Sequence, residues 1–240
     1  AYAELKDGLT ALRETGKNNN GLCHLPDGRK YYELTVASET GSSRTIPELQ
    51  QLTQGQMFTD LTDMQKILSP TAEGASVSSD LFKTQGTLLE NPDPASILAD
   101  LEEKLADNFP KPPKVNTEIK YVQKSMEEYL SPAFYMIPAI DNSSDNVIYI
   151  NQGHLPDDLS LFTTLAHEGY PGHLYQTTYY ASRNPDPIRT LLNYGGYVEG
   201  WATYSEMMSY YYAPVSKEQA TLMQKNTSVI LGLYALADMG

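Results

Sequence analysis

Apolar positions recur at helical spacing along much of the first half of the chain. Leu5, Leu9 and Leu12 stand four and three residues apart; one face of a helix repeats this way, so residues 1–16 are predicted to be helical. The polar run Lys17-Asn18-Asn19-Asn20-Gly21 interrupts the pattern. Pro26-Asp27-Gly28 then predicts a turn, with proline presetting φ and glycine taking the conformation that other residues resist. Residues 31–38 form a short apolar run for which periodicity does not separate strand from helix. Thr45-Ile46-Pro47-Glu48 carries the marks of a helix start, with Thr45 as cap and an acidic first turn, and the helix is expected to run to Leu68, before Ser69-Pro70. Residues 80–89 and 94–108 are further helical stretches. No internal repeat stands out, and the first 110 residues carry no recognisable chemistry.

The pattern changes at Phe109-Pro110-Lys111-Pro112-Pro113, a linker-like segment. It divides the chain into a mainly helical subregion, residues 1–110, and a second region, residues 111–240, where the chemistry lies. Residues 115–122 alternate in part, as a strand would. A polar turn over residues 141–146 leads into Val147-Ile148-Tyr149-Ile150-Asn151, a strong β signal. Asp158-Leu159-Ser160 opens a helix whose apolar side holds Leu161, Phe162 and Leu165. Asn184-Pro185-Asp186-Pro187 ends the helix after it, and Pro187 suits the first turn of the next. Gly195-Gly196 interrupts once more, ahead of a helix on which Glu199, Thr203 and Glu206, four and seven residues apart, share a face. Residues 217–238 read as a last helix with Leu222, Met223, Val229, Leu233 and Leu236 apolar.

Composition narrows the class. The 240 residues are 40% hydrophobic and 20% charged, which is ordinary for a globular protein with a real core. A net charge of −13 argues against nucleic acid and against anionic lipid as partners. Tyrosine is frequent, 18 against 5 Phe and 1 Trp, and its apolar ring with a polar tip suits cleft walls as well as ordinary packing. A single cysteine, Cys23, excludes an internal disulfide, and its neighbour His24 does not face it usefully. No transmembrane run or signal peptide is visible. The chain opens on Ala1 and stops at Leu236-Ala237-Asp238-Met239-Gly240, and so reads as a piece of a longer protein. The compartment stays open between cytoplasmic and secreted or lipid-anchored, and the oligomeric state is not indicated.

Chemistry concentrates in Leu165-Ala166-His167-Glu168-Gly169-Tyr170-Pro171-Gly172-His173-Leu174-Tyr175-Gln176. Two imidazoles, an adjacent carboxylate and a later glutamate are the parts of a hydrolytic zinc site. The familiar zinc-peptidase pattern, H-E-x-x-H, sets its histidines four apart on one helix face. Here they are six apart. In an unbroken helix six residues turn through about 600°, leaving the side chains roughly 120° apart, too far round to share an ion. Pro171 cannot donate to the carbonyl of His167 and its ring collides with that carbonyl, while Gly169 and Gly172 relax the backbone. A break between the histidines is therefore predicted, bringing His173 to the side of His167. His154, in a loop, is expected to be a solvated surface residue.

His167-Glu168-Gly169-Tyr170-Pro171-Gly172-His173-Leu174-Tyr175-Gln176, followed by Glu199-Gly200-Trp201-Ala202-Thr203-Tyr204-Ser205-Glu206, resembles the bacterial domain of unknown function 885 family. Weaker matches upstream, Leu25-Pro26-Asp27-Gly28 with Tyr31-Tyr32 and residues 147–151, extend the resemblance over most of the chain. That family is grouped with zincin-like metallopeptidases of gluzincin type and is similar in layout to thimet oligopeptidase, the carboxypeptidase Taq family and angiotensin-converting enzyme. This sequence departs from them in the two extra residues between the histidines. The resemblance implies a mainly α, α+β zincin-like domain with a small β element, and a zinc ion (Zn2+) held by His167, His173 and Glu199. Glu168 would then be the general base, and Glu206 would orient a ligand histidine. In zincins a strand beside the metal helix binds extended peptide through its free edge, a role that falls here to residues 147–151. Tyr149, Asn151, Tyr170, Tyr197 and Tyr204 are candidates for substrate contact. The expected activity is hydrolysis of short peptides. A non-catalytic peptide-binding or structural domain of the same shape, and a metal-dependent amidohydrolase acting on a non-peptide amide, are the alternatives.

Overall fold

The structure, a computed structural model, describes residues 1–16, 21–69, 93–142, 144–155, 157–192 and 194–240. Among them the chain forms eight α-helices and one three-stranded sheet, a mainly helical fold with a small β element, as the sequence predicts.

Several helices begin where their capping residues stand. Thr45 and Glu48 close a capping box at the start of α3 (Ile46–Leu68), with the Thr45 N–H donating to the Glu48 carboxylate at 2.7 Å. Asp93 caps α4 (Pro94–Leu105) by accepting the Ser96 N–H, and Ser216 caps α8 (Lys217–Met239) by accepting that of Gln219. The expected N-terminal helix is α1 (Tyr2–Leu12), but Leu5, Leu9 and Leu12 are each more than half exposed. Residues 31–38 are helical, inside α2 (Gly28–Thr40). At the turn before α2 the positive φ falls on Asp27, at 58°, and not on Gly28. A short polar side chain tolerates that conformation, whereas Gly28 is needed because a Cβ there would lie 1.7 Å from the carbonyl oxygen of Leu22. The helix expected over residues 80–89 lies outside the described residues.

The sheet comprises β1 (Asn116–Tyr121), β2 (Ala133–Met136) and β3 (Asp145–Ile150), in the order β1-β3-β2. β1 runs parallel to β3, and β2 antiparallel to it with Tyr135 opposite Ile148. This corrects one expectation. β3 is hydrogen-bonded on both sides and has no free edge, and among the described residues β1 and β2 are the edge strands. Alternation along β3 sends Asn146, Ile148 and Ile150 into the core. Tyr149 points to the other face, where it stacks on Phe134 with ring centres 5.1 Å apart.

One core joins α4 to the sheet and to α5 (Asp158–Glu168). It contains Ile97, Leu98, Leu101 and Leu105 from α4, Ile148 and Ile150 from β3, and Leu159, Phe162 and Leu165 from α5. Each such side chain contributes about 1.5–3 kcal/mol by leaving water. The proline-rich segment packs against this body: Phe109 lies edge-on to both Tyr175 and Trp201, and the Tyr175 hydroxyl donates to the Pro110 carbonyl at 2.8 Å. α3 and α8 lie antiparallel, with buried Asp60 of α3 accepting from Lys225 and Ser228 of α8 and from Gln56 of its own helix. No helix among the described residues is long and apolar enough to cross a membrane.

Candidate metal centre

Asp157 caps α5 by accepting the Ser160 N–H at 2.9 Å. Leu161, Phe162, Leu165 and Ala166 are buried, and the last turn presents half-buried His167 and Glu168. The helix ends there, as the Pro-Gly sequence requires. The next helix, α6 (His173–Ala181), starts on the second histidine. The Tyr170–Pro171 peptide bond between them is cis. Backbone bonds bridge the gap: Gly172 N–H donates to Ala166 O at 2.9 Å, and Tyr175 N–H to Gly169 O at 3.1 Å. Gly172 is there for space. A Cβ would lie 1.8 Å from the carbonyl oxygen of His167 and 2.4 Å from that of Ala166.

The third element is α7 (Gly195–Ser209). Gly195 and Gly196 form its first turn and do not interrupt the chain ahead of it. Ala202, Ser205 and Ser209, three and four residues apart, are buried along one stripe, so α7 approaches α5 closely. Glu199 and Glu206 flank that stripe and reach the histidines. Glu199 Oε2 stands 3.6 Å from His167 Nε2 and 3.5 Å from His173 Nε2, and the two imidazoles meet edge to face with centres 4.8 Å apart. On the far side of the His167 ring, Nδ1 lies 2.9 Å from Glu206 Oε2. A carboxylate only accepts, so Nδ1 carries a proton, and Nε2 is the nitrogen turned to Glu199.

The local charges follow from this arrangement. Burial disfavours the charged form of His167, but the Glu206 hydrogen bond and the charges of Glu168, Glu206 and Glu199 outweigh it and raise the pKa above the usual histidine value. Burial and the neighbouring His167 lower that of His173. Burial raises the Glu168 carboxyl, although the backbone N–H of Tyr135 donates to it at 2.7 Å and His167 opposes the shift.

The donor set fits a zinc ion. One nitrogen from each histidine and one oxygen of Glu199 lie within 4.8 Å of one another. The two nitrogen–oxygen separations, 3.5 and 3.6 Å, are longer than good hydrogen bonds. They come close to the edge of about 3.3–3.4 Å between two ligands each held about 2.0–2.1 Å from one tetrahedral zinc. Two imidazoles and a carboxylate would leave a fourth position of a bound zinc open, as in catalytic zinc sites.

The structure thus brings together His167, Glu168, His173, Glu199 and Glu206, and it does not bring the other predicted residues to them. Asn151 is fully buried and its amide is committed, donating to the carbonyls of Glu127 and Leu130 and accepting from the Gly153 N–H. Tyr170 is buried in the core, where burial pushes its hydroxyl up to about 12. Tyr149 is on the sheet face turned from α5. Tyr197 and Tyr204, two and five residues from Glu199 on a continuous helix, lie about 160° and 140° round it and are largely exposed. Three contributors were not foreseeable from the motif alone: the Tyr135 backbone at Glu168, the small-residue stripe on α7, and Trp201, whose Nε1–H donates to Pro171 O at 2.7 Å. The stripe is readable as small residues at helical spacing, whereas the Tyr135 contact leaves no local signal.

No curated protein matches the chain. Among solved structures, that of a candidate lipoprotein from Colwellia psychrerythraea is similar, with a TM-score of 0.77 and 20% sequence identity over 100% of this chain and 44% of that one. At that identity the likeness is one of fold, and the chain spans less than half the length of its neighbour. The family described as bacterial protein of unknown function (DUF885) matches residues 1–226, nearly the whole sequence. The chain belongs to that family.

Proposed function

We propose that this chain carries the zinc centre of a metallopeptidase that hydrolyses amide bonds in short peptides. The observation that carries the reading is a single Glu199 oxygen placed near the tetrahedral edge from both His167 Nε2 and His173 Nε2, the three ligand atoms lying within 4.8 Å of one another, with Glu168 next to the first ligand and outside the ligand set. Zinc in this position supplies a Lewis acid that polarises a carbonyl and acidifies water. Glu206 holds the His167 Nδ1–H and so fixes the tautomer and the ring orientation. Tyr135 N–H holds one oxygen of Glu168. From there the carboxylate takes a proton from the attacking water and delivers it to the nitrogen of the departing amine. Among the described residues β2, which supplies that N–H, is an edge strand, and this supports an extended peptide as the substrate class.

Elemental analysis of the purified chain beside His173→Ala is the direct test. About one zinc per wild-type chain, lost in the variant, is the expected result. Glu168→Gln should keep the metal and lose about 10²–10⁴-fold in peptide turnover. A wild-type chain that takes up no zinc on incubation with the ion would sink the reading.

A further inference from the structure

We infer that Trp201 is a positioning residue that sets the separation between His173 and Glu199 and thereby the metal affinity; this rests on the zinc reading above. The turn that delivers His173 is held from two neighbouring helices. α5 holds it through the Gly172 N–H to Ala166 O bond, and α7 through the Trp201 indole N–H to Pro171 O bond at 2.7 Å. Pro171 is fully buried, so losing that donor would strand a carbonyl away from water. The indole is itself clamped. It stacks on Tyr175 of α6 with an interplanar angle of 17°, and Phe109 meets it edge-on at 6.1 Å.

Trp201 stands two residues after Glu199, about 200° round the same helix. α6 and α7 are therefore joined twice, on opposite flanks of α7. On one flank His173 faces Glu199 at 3.5 Å. On the other, the indole grips the peptide two residues before His173. A brace so placed fixes how far the start of α6 stands from α7, which is the distance two ligands of one ion must keep. Nothing in the bond touches the ligands, so Trp201 acts through the backbone of the turn.

The test is Trp201→Phe, which keeps an aromatic ring against Tyr175 and Phe109 and removes only the donor and one ring. Zinc affinity is measured by competition with a chromophoric chelator, and the melting temperature is measured on the metal-free protein. The expected result is zinc binding weaker by about 10–100-fold at a temperature where the metal-free variant is still fully folded, its melting temperature lowered only by the few degrees that a stranded carbonyl costs. Wild-type affinity in the variant, or a loss seen only at temperatures where the metal-free variant unfolds, overturns the inference. Trp201 is the single tryptophan of the chain, so its indole N–H gives one assignable resonance in the wild type, even if the variant fails to fold. That resonance should shift and exchange more slowly on saturation with zinc; a resonance that does neither overturns the inference as well. If the wild type binds no zinc, the metal reading falls and this inference with it. If it binds zinc while the variant behaves like wild type, only the role of Trp201 falls.

Discussion

A methyl group at position 172 would lie 1.8 Å from the carbonyl oxygen of His167, so Gly172→Ala must push α5 and α6 apart where the two histidines converge. The expected outcome is a loss of at least about tenfold in zinc affinity together with about 1–3 kcal/mol of stability, read by metal titration and thermal melting. Wild-type affinity in the alanine variant would mean that the turn adapts without moving His173. At this scale the centre is legible in the sequence because its members are chemically rare and close along the chain. Two of four histidines fall within seven residues, and the break between them follows from proline's missing N–H. The tyrosines are less legible, because residue type does not say which way a side chain points. For Tyr197 and Tyr204 the helical phase relative to Glu199 already turns them away. For Tyr149 the face of the sheet decides, and Tyr170 and Asn151 belong to the core, where their polar groups are used or suppressed.

The α3–α8 pair is held by a buried ion pair. Burial works against the charged form of Asp60, but hydrogen bonds from Lys225, Ser228 and Gln56 lower its pKa further than burial raises it, and the net shift is downward. Asp60 raises the Lys225 ammonium in turn. A depressed carboxylate stabilises the fold above its unfolded pKa of about 3.9, and that contribution is lost as pH falls through the lower folded value. A raised ammonium contributes below its unfolded pKa of about 10.4 and loses its contribution as pH rises through the higher folded value. Asp60→Asn should therefore destabilise by about 3 kcal/mol near neutrality, the low end for a buried pair that loses one partner, since Lys225 keeps part of its water. The deficit should narrow below about pH 4, as denaturant melts across pH will show. An equal deficit at every pH would mean that the charge is not what Asp60 contributes. Helix positions and caps at this scale are local and were readable from Thr45, Pro94 and the stops at Ser69 and Asn184. Pairing is not local. Nothing within residues 147–151 tells that β1 and β2 close on both sides of β3, and nothing in either helix tells that α3 lies against α8.

Across the whole molecule, apolar periodicity marks helices more faithfully than it marks burial. α1 has the expected period, yet its leucines are exposed. Leu9→Lys should accordingly change the stability of the chain by no more than about 0.5 kcal/mol, whereas Leu165→Ala, in the core, should cost about 2–5 kcal/mol; thermal or denaturant unfolding of the two variants checks both. A large loss from Leu9→Lys would show that the α1 face is covered in solution. The mainly helical class, with one small sheet, was legible from periods and β-rich runs. The arrangement of its layers was not, since it depends on contacts between residues far apart in sequence. The β2 edge of that sheet also bears on how molecules meet one another. A bare edge donor invites a strand from a neighbouring molecule, and so begins aggregation and fibre growth. Tyr135 N–H is such a donor on β2, and the Glu168 carboxyl occupies it. The group proposed for proton transfer thus also covers an edge donor that a neighbouring strand would otherwise reach for. A glutamine there keeps a carbonyl to accept the N–H, whereas Glu168→Ala is expected to leave the donor uncovered.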